Sequence, residues 1–293
     1  MSKNIFVVGS LNMDMAICAP YCPQGGETLA GNGFMTNCGG KGANQAAAAA
    51  KLGGRVFICG RVGDDPFGKT ILKNLGACGA DTRFVRRTEG ISTGVAVILI
   101  TDGENRIILD AGANSLLAKE DIDEALVYAQ AGDIYLTQSE NPAEIIGYGL
   151  RQAKEKGMFT ILNPAPANPA IKQFFRFADI IVPNESEAAL LGGKKELLKA
   201  GASVVITTLG GNGYEIATKK AAQIYPCIRV KAVDTTAAGD TLCGGLAAGL
   251  ARGESLEQTM AFASKAASIA CTKQGAAQSI PTYAEVQAFE SIE

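Results

Sequence analysis

The chain contains no histidine and no tryptophan in 293 residues. Without imidazole, Ser-His-Asp and Cys-His catalysis are excluded, as are most zinc sites. Acid–base chemistry then falls to a carboxylate, a lysine or a tyrosine. Charge is sparse, at 19% of residues with a net charge of −2. No run of Lys or Arg marks a nucleic-acid or membrane surface. No apolar stretch reaches the ~18 residues of a membrane span, and the short apolar run at residues 5–8 lacks the build of a signal peptide. Eight cysteines are scattered with no CxxC pair and no dense framework, which fits reduced thiols in a cytoplasmic protein.

What the chain does have is glycine, 35 residues of it, and a hydrophobic content of 47%. A chain of this length buries a full core, as one large α/β domain or one domain with a small appendage. Residues 5–8 (Ile-Phe-Val-Val) read as a strand buried on both faces, and from residue 120 onward strands and helices alternate. That alternation predicts a doubly wound, mostly parallel sheet. Expected strands cover residues 133–138, 159–163, 179–182 and 203–207, with helices at 120–129, 143–155 and 255–272. Residues 94–100 are apolar throughout and 106–110 return after an Asp-Gly turn, which predicts a β-hairpin. With the Gly-punctuated segment 15–36, that hairpin can form a second, small sheet over the first.

Two small-residue loops open helices. The first is Gly39-Gly40-Lys41-Gly42-Ala43-Asn44-Gln45, followed by an Ala-rich helix. The second is Asp234-Thr235-Thr236-Ala237-Ala238-Gly239-Asp240-Thr241, led in by a strand-like segment 227–233 and followed by a helix over 242–251. Such helix starts aim unpaired N–H groups and a positive dipole end at an anion. Asp240 in that turn is either a helix cap or a proton acceptor beside an anion cradle, the arrangement that suits phosphoryl transfer to a hydroxyl. Asn12 and Asp14 follow the first strand, where ligands of open α/β sheets gather; they suit sugar hydroxyls or simply turn the chain. Asn184 and Glu187 form a capping box or hold Mg²⁺ through water. Residues 208–213 either hold a nucleotide or turn a hairpin.

Gly63 to Thr70 matches GxxxxGK[ST] letter for letter. A phosphate loop is nonetheless the wrong reading. Asp64 and Asp65 repel phosphate and Pro66 has no N–H. Asp64 or Asp65 as cap, with Pro66 at the first helical position, explains the stretch.

Taken together and in order, these motifs resemble the two signature regions of the ribokinase-like (pfkB) carbohydrate kinases. The resemblance extends to Ala111-Gly112-Ala113-Asn114 and Asn163-Pro164-Ala165-Pro166 and covers essentially the whole chain. It implies one α/β kinase domain over residues 1–293 with a β lid at about 13–36 and 92–111. The implied reaction is ATP-dependent phosphorylation of a sugar's primary hydroxyl, O5 if the sugar is ribose. By the same resemblance Asp240 is the base, and the N–H groups of Ala238, Gly239 and Asp240 form the anion hole. Asn12, Asp14, Gly40, Lys41, Asn44 and Glu140 hold the sugar. Asn184 and Glu187 organise Mg²⁺ and phosphate, Glu187 through water. Thr208, Gly210, Gly213, Gly239 and Ser264 line the ATP site. Asp234 and Thr236, with the loop at Cys271, Gly275 and Ser279, form a K⁺ site. A homodimer through paired lids is also implied.

The chain departs from the family pattern in a short segment 191–203, in a small residue at Ser264, and in the loop 274–278. Other acceptors (2-deoxyribose, another furanose, a nucleoside) and a non-catalytic sugar-binding role remain open at this level.

Overall fold

The computed structural model describes residues 2–102 and 104–290. Its first apolar run is strand β1 (Asn4–Val8), followed by β2 (Asn12–Cys18), β3 (Asn32–Gly39), helix α1 (Lys41–Lys51), β4 (Arg55–Gly63), α2 (Pro66–Ala77) and β5 (Asp81–Thr88). The hairpin β6 (Gly94–Thr101) and β7 (Glu104–Asp110) precedes α3 (Lys119–Leu126), β8 (Ile134–Thr137), α4 (Ala143–Glu155), β9 (Phe159–Leu162) and β10 (Ile180–Ile181). Then come α5 (Glu185–Leu190), α6 (Gly193–Lys199), β11 (Val204–Thr208), β12 (Tyr214–Ala217), β13 (Ala222–Tyr225), α7 (Ala238–Arg252), α8 (Leu256–Ala270) and α9 (Tyr283–Ala288).

A nine-stranded sheet runs β13-β12-β11-β10-β9-β8-β1-β4-β5. It is parallel from β5 to β11, and among the described residues the antiparallel pairings are β11 with β12 and β12 with β13, at one edge. Helices cover both faces, and β1 shows why its run is continuously apolar. Ile5 and Val7 enter the core under α1, α7 and α8, while Phe6 and Val8 enter the core on the other face. Full burial of each such side chain contributes about 1.5–3 kcal/mol.

The second sheet has the order β3-β2-β6-β7. Its hairpin is the expected one; Gly103 of the expected turn lies outside the described residues. Asn12 and Asp14 belong to β2, not to a loop, because β2 pairs in parallel with β6 and antiparallel with β3. The pleat thereby aims their side chains.

Two further expectations are corrected. Residues 227–233 form no strand: after β13 the chain leaves the sheet, and the N–H groups of Val233 and Asp234 donate to the Cys271 carbonyl. Asp240 is not a helix cap; the cap position is Ala237, and Asp240 lies in the first turn of α7. At the rejected phosphate loop, Asp65 caps α2 by accepting from the Gly68 N–H at 2.8 Å, with Pro66 opening the helix.

Helices α1 and α7 pack backbone to backbone. A Cβ at Gly244 would lie 2.5 Å from the Ala48 Cβ and 2.7 Å from the Ala49 nitrogen. Only a glycine permits that approach, and it brings the first turn of α1 against the first turn of α7.

Candidate active site

Where those two turns meet, Asp240 is buried, with 5% of its surface exposed. Its Oδ2 accepts from the Asn44 side-chain amide at 2.9 Å, and its Oδ1 accepts from the Gln45 amide, also at 2.9 Å. Burial pushes the Asp240 carboxyl above the usual carboxylate range, against the opposing pull of Lys41 and the two amides. It is a carboxylate held rigidly and made more basic, as a general base requires.

Lys41 opens α1 beside it. Burial penalises its charge, but Asp240, Glu140 and Glu187 outweigh that and hold Lys41 above its ordinary value. Glu140 is fixed by the Ser10 hydroxyl and by the Lys41 N–H at 3.1 Å. Asp14, on β2, feels burial first, then Glu140 and Asp240, and its carboxyl rises to about 7 despite Lys41. Gly39 exists for Asp14: a Cβ there would lie 2.2 Å from the carboxylate. Asn12 is buried, and its Oδ1 accepts from the Asn114 amide at 2.8 Å. Gly40, which caps α1, has a φ of 85°, a backbone conformation that favours glycine.

Two cavities adjoin at the start of α7. The smaller, about 190 Å³, is lined by Lys41, Asn163, Asn184, Glu187, Thr236 and Asp240 among others. The larger, about 580 Å³, is lined by Gly210, Gly213, Ala238, Ser264 and Cys271 among others. Thr208 and Gly239 line both, so a phosphate chain can run from one into the other. At their junction the N–H groups of Gly239 and Asp240 have no acceptor among the described residues, whereas the Ala238 N–H donates to the Thr235 carbonyl at 3.1 Å. Two open donors at a helix start make an anion cradle.

Asn184 caps α5 and Glu187 returns the bond, so the capping box exists. The Glu187 carboxylate still faces the smaller cavity, where burial pushes it up, and where the Asn184 N–H and Lys41 counteract. Among the described residues no three acidic or thiol side chains converge as a metal cage. A lone carboxylate fits Mg²⁺, which keeps most of its waters and arrives with phosphates.

Asp234, Thr236 and Gly275 also meet. Asp234 accepts from the Thr236 N–H at 2.9 Å and from the Gly275 N–H at 3.0 Å, with the Thr236 hydroxyl a further donor. Burial opposes its charge, but these donors hold the carboxyl below the usual range. The Cys271 carbonyl already takes two N–H donors, and the Ser279 hydroxyl donates to the Ala276 carbonyl at 2.9 Å. A carboxylate has about four lone-pair sites, so Asp234 retains capacity beyond these three bonds and its negative charge is compatible with a nearby cation, while the Cys271 carbonyl is engaged by the Val233 and Asp234 N–H groups.

Reasoning from sequence missed Ser10, Gln45 and Gln138. Gln45 stands inside a quoted motif, and the signal available was its place one residue after Asn44 at a helix start. Ser10 and Gln138 lie at strand ends among many similar residues.

Fold and site together fit an α/β phosphotransferase, with a cavity of about 580 Å³ leading to a buried carboxylate beside a cluster of polar side chains. The chain belongs to the pfkB family of carbohydrate kinases, whose model matches residues 2–283. It is similar to the ribokinase of Schizosaccharomyces pombe, at 39% identity over 97% of this chain and 96% of that protein. It is similar to the ribokinase of Haemophilus influenzae, at 37% identity over 99% of both. Among solved structures, Arabidopsis thaliana ribokinase complexed with ribose and ATP matches with a TM-score of 0.87, at 31% identity over 99% of this chain and 100% of that one.

Proposed function

We propose that this chain transfers the γ-phosphoryl group of ATP to the primary 5-hydroxyl of D-ribose, giving ribose 5-phosphate and ADP. The observation that carries it is the buried Asp240 carboxylate, set between open helix-start N–H groups and a face of sugar-binding side chains. The ribokinases named above, one of them holding ribose and ATP, support ribose as the acceptor.

Asp240 takes the proton as O5 attacks the γ-phosphorus and the bond to the ADP oxygen breaks. Gly239 and Asp240 N–H groups and the Lys41 ammonium stabilise charge on the transferring group. Asn44 donates to Asp240 and leaves its buried Oδ1 without a partner among the described residues. That orphaned acceptor is suited to a sugar hydroxyl, which unites its two roles. Asn12, Asp14 and Glu140 take the other hydroxyls. Thr208, Gly210, Gly213 and Ser264 line the space for the nucleoside. Mg²⁺, when bound, would neutralise phosphate charge, and Glu187 is the residue that would hold it. Asp234 and Thr236 are the residues that would hold a monovalent cation, whose charge would offset that of the phosphates.

In this reading residues 1–293 form one domain, and the second sheet closes as a lid that excludes water. Its strand β7 and neighbour β6 expose Ile107, Ile108, Leu109 and Val97 at 59, 75, 46 and 48%. That apolar surface supports pairing with a second copy. No helix among the described residues is long and apolar enough to cross a membrane. The eight unpaired thiols support a reducing, cytoplasmic setting.

The test is a coupled ADP-release screen over pentoses, 2-deoxypentoses, hexoses and nucleosides, with and without K⁺. Ribose should give the highest kcat/KM. Absence of sugar-dependent turnover across the panel overturns the proposal, and a preference for 2-deoxyribose or a nucleoside overturns the acceptor.

A further inference from the structure

Behind Asp240 lies a chain of three buried primary amides, and a backbone carbonyl sets its direction. The Val182 carbonyl can only accept, so Asn163 presents its Nδ2 there, at 2.8 Å. Asn163 Oδ1 then faces Gln45, whose Nε2 donates to it at 3.0 Å and to Asp240 Oδ1 at 2.9 Å. That leaves Gln45 Oε1 to accept from Gln138 Nε2, at 2.7 Å. No member of the chain can turn its amide over without setting two acceptors or two donors face to face. Gln45 is 0% exposed, Gln138 1% and Asn163 9%.

The arrangement is costly. Buried amides must be paired, and aliphatic side chains would fill the same space without that requirement. Gln138 Oε1 has no partner among the described residues. Gly9 is held to a hydrogen atom, since a Cβ there would lie 2.1 Å from that oxygen. Among the described residues, Gln45 alone of these three amides hydrogen-bonds Asp240, at Oδ1, while Asn44 holds Oδ2, so the chain acts on the carboxylate through Gln45.

Resting on the reading of Asp240 as base, we propose that Gln45, oriented by Asn163 and Gln138, is a positioning residue that fixes the Asp240 carboxylate for proton transfer. Oδ1 is tied to the interior, and Oδ2, on the Asn44 side, meets the acceptor hydroxyl. Gln45 also stabilises the charged carboxylate, so its loss makes Asp240 harder to deprotonate.

The experiment compares Gln45→Leu, Gln138→Leu and Gln138→Glu, each first confirmed as folded by its melting curve. A carboxylate at position 138 can only accept, so it draws the Gln45 NH₂ group away and turns Oε1 toward Asp240. We expect kcat to fall on the order of 10- to 100-fold in Gln45→Leu and Gln138→Glu, with sugar KM within about twofold. The acid limb of the kcat profile should move to higher pH, and Gln138→Leu should follow in the same direction by less. Wild-type kcat with an unmoved acid limb in folded Gln45→Leu overturns the proposal. So does a fall in kcat with the limb unmoved, which marks a merely structural role. The Asp240 ¹³C-carboxyl NMR titration separates the two readings. A wild type without sugar-dependent turnover whose Asp240 still titrates higher in Gln45→Leu loses the base assignment and keeps the positioning.

Discussion

Asn44 and Asp240 stand 196 residues apart in the chain and meet at 2.9 Å, the Asn44 amide donating to the Asp240 carboxylate. The contact joins the two helix-opening loops into one site. It also makes Asp240 a side chain fixed from outside its own helix. Replacement by asparagine keeps the shape and removes the proton acceptor. Asp240→Asn should lower kcat by about 10²- to 10⁴-fold while sugar binding, read by calorimetry, survives. Near-normal turnover would remove Asp240 from the role of base.

Asp14 gives the site a pH signature. Burial and the neighbouring carboxylates raise its carboxyl to about 7, so the free protein carries it protonated below neutrality. Sugar hydroxyls that donate to the ionised form bind better as pH rises through that value. Ribose KM should therefore fall between about pH 6 and 8 and level off above, and Asp14→Asn should flatten the curve. The stability sign is opposite. The folded state binds the proton more tightly than the unfolded chain, so this group's contribution is full below the ordinary carboxylate pKa and declines as pH rises toward 7. A sugar KM that is flat with pH in the wild type would count against Asp14 as a sugar ligand.

The capping role of Glu187 and its proposed Mg²⁺ role can be separated by one substitution. A glutamine at the third helical position still completes the capping box but carries no charge. Glu187→Gln should leave the melting temperature within about a degree, while the Mg²⁺ concentration for half-maximal rate rises several-fold. Asn184→Ala, which removes the cap itself, should cost about 1 kcal/mol of stability. An unchanged Mg²⁺ requirement in the first variant would reduce Glu187 to a structural residue.

Lys69 tests the rejected phosphate loop. Its ammonium lies 3.8 Å from Asp64 on the surface, with 60% of the side chain exposed, and it lines neither cavity of the site. Lys69→Ala should leave kcat and the KM for ATP within about twofold, since an exposed pair contributes about 0–1 kcal/mol. A dead enzyme would restore the motif.

Gly244 tests the helix contact that assembles the site. Gly244→Val puts atoms where Ala48 and the Ala49 backbone already are, and overpacking of this kind costs about 1–3 kcal/mol. Because the strain separates α1 from α7, kcat should fall together with the melting temperature. A stable variant with full activity would show that the helices can part without disturbing Asp240.

The alternation of strands and helices after residue 120, the hairpin at 94–110 and the capping box of Asn184 and Glu187 were legible in the sequence because each depends on residues close together in the chain. Asp65 before Pro66 announces a helix start by local chemistry alone. The amino-acid types likewise determined that any base must be something other than histidine, and the ordered motifs named the family. The sequence did not show that residues 227–233 leave the sheet, because their apolar pattern is the same whether the backbone pairs with a strand or with the Cys271 carbonyl. Nor did it show what holds Asp240. Gln45, Gln138 and Asn163 come from α1, the end of β8 and the end of β9. A side-chain amide in any of these places reads as an ordinary polar residue until packing buries it and fixes its direction. Periodicity and turn chemistry are properties of a segment, whereas the orientation of a buried carboxylate depends on which segments the core brings within 3 Å of it.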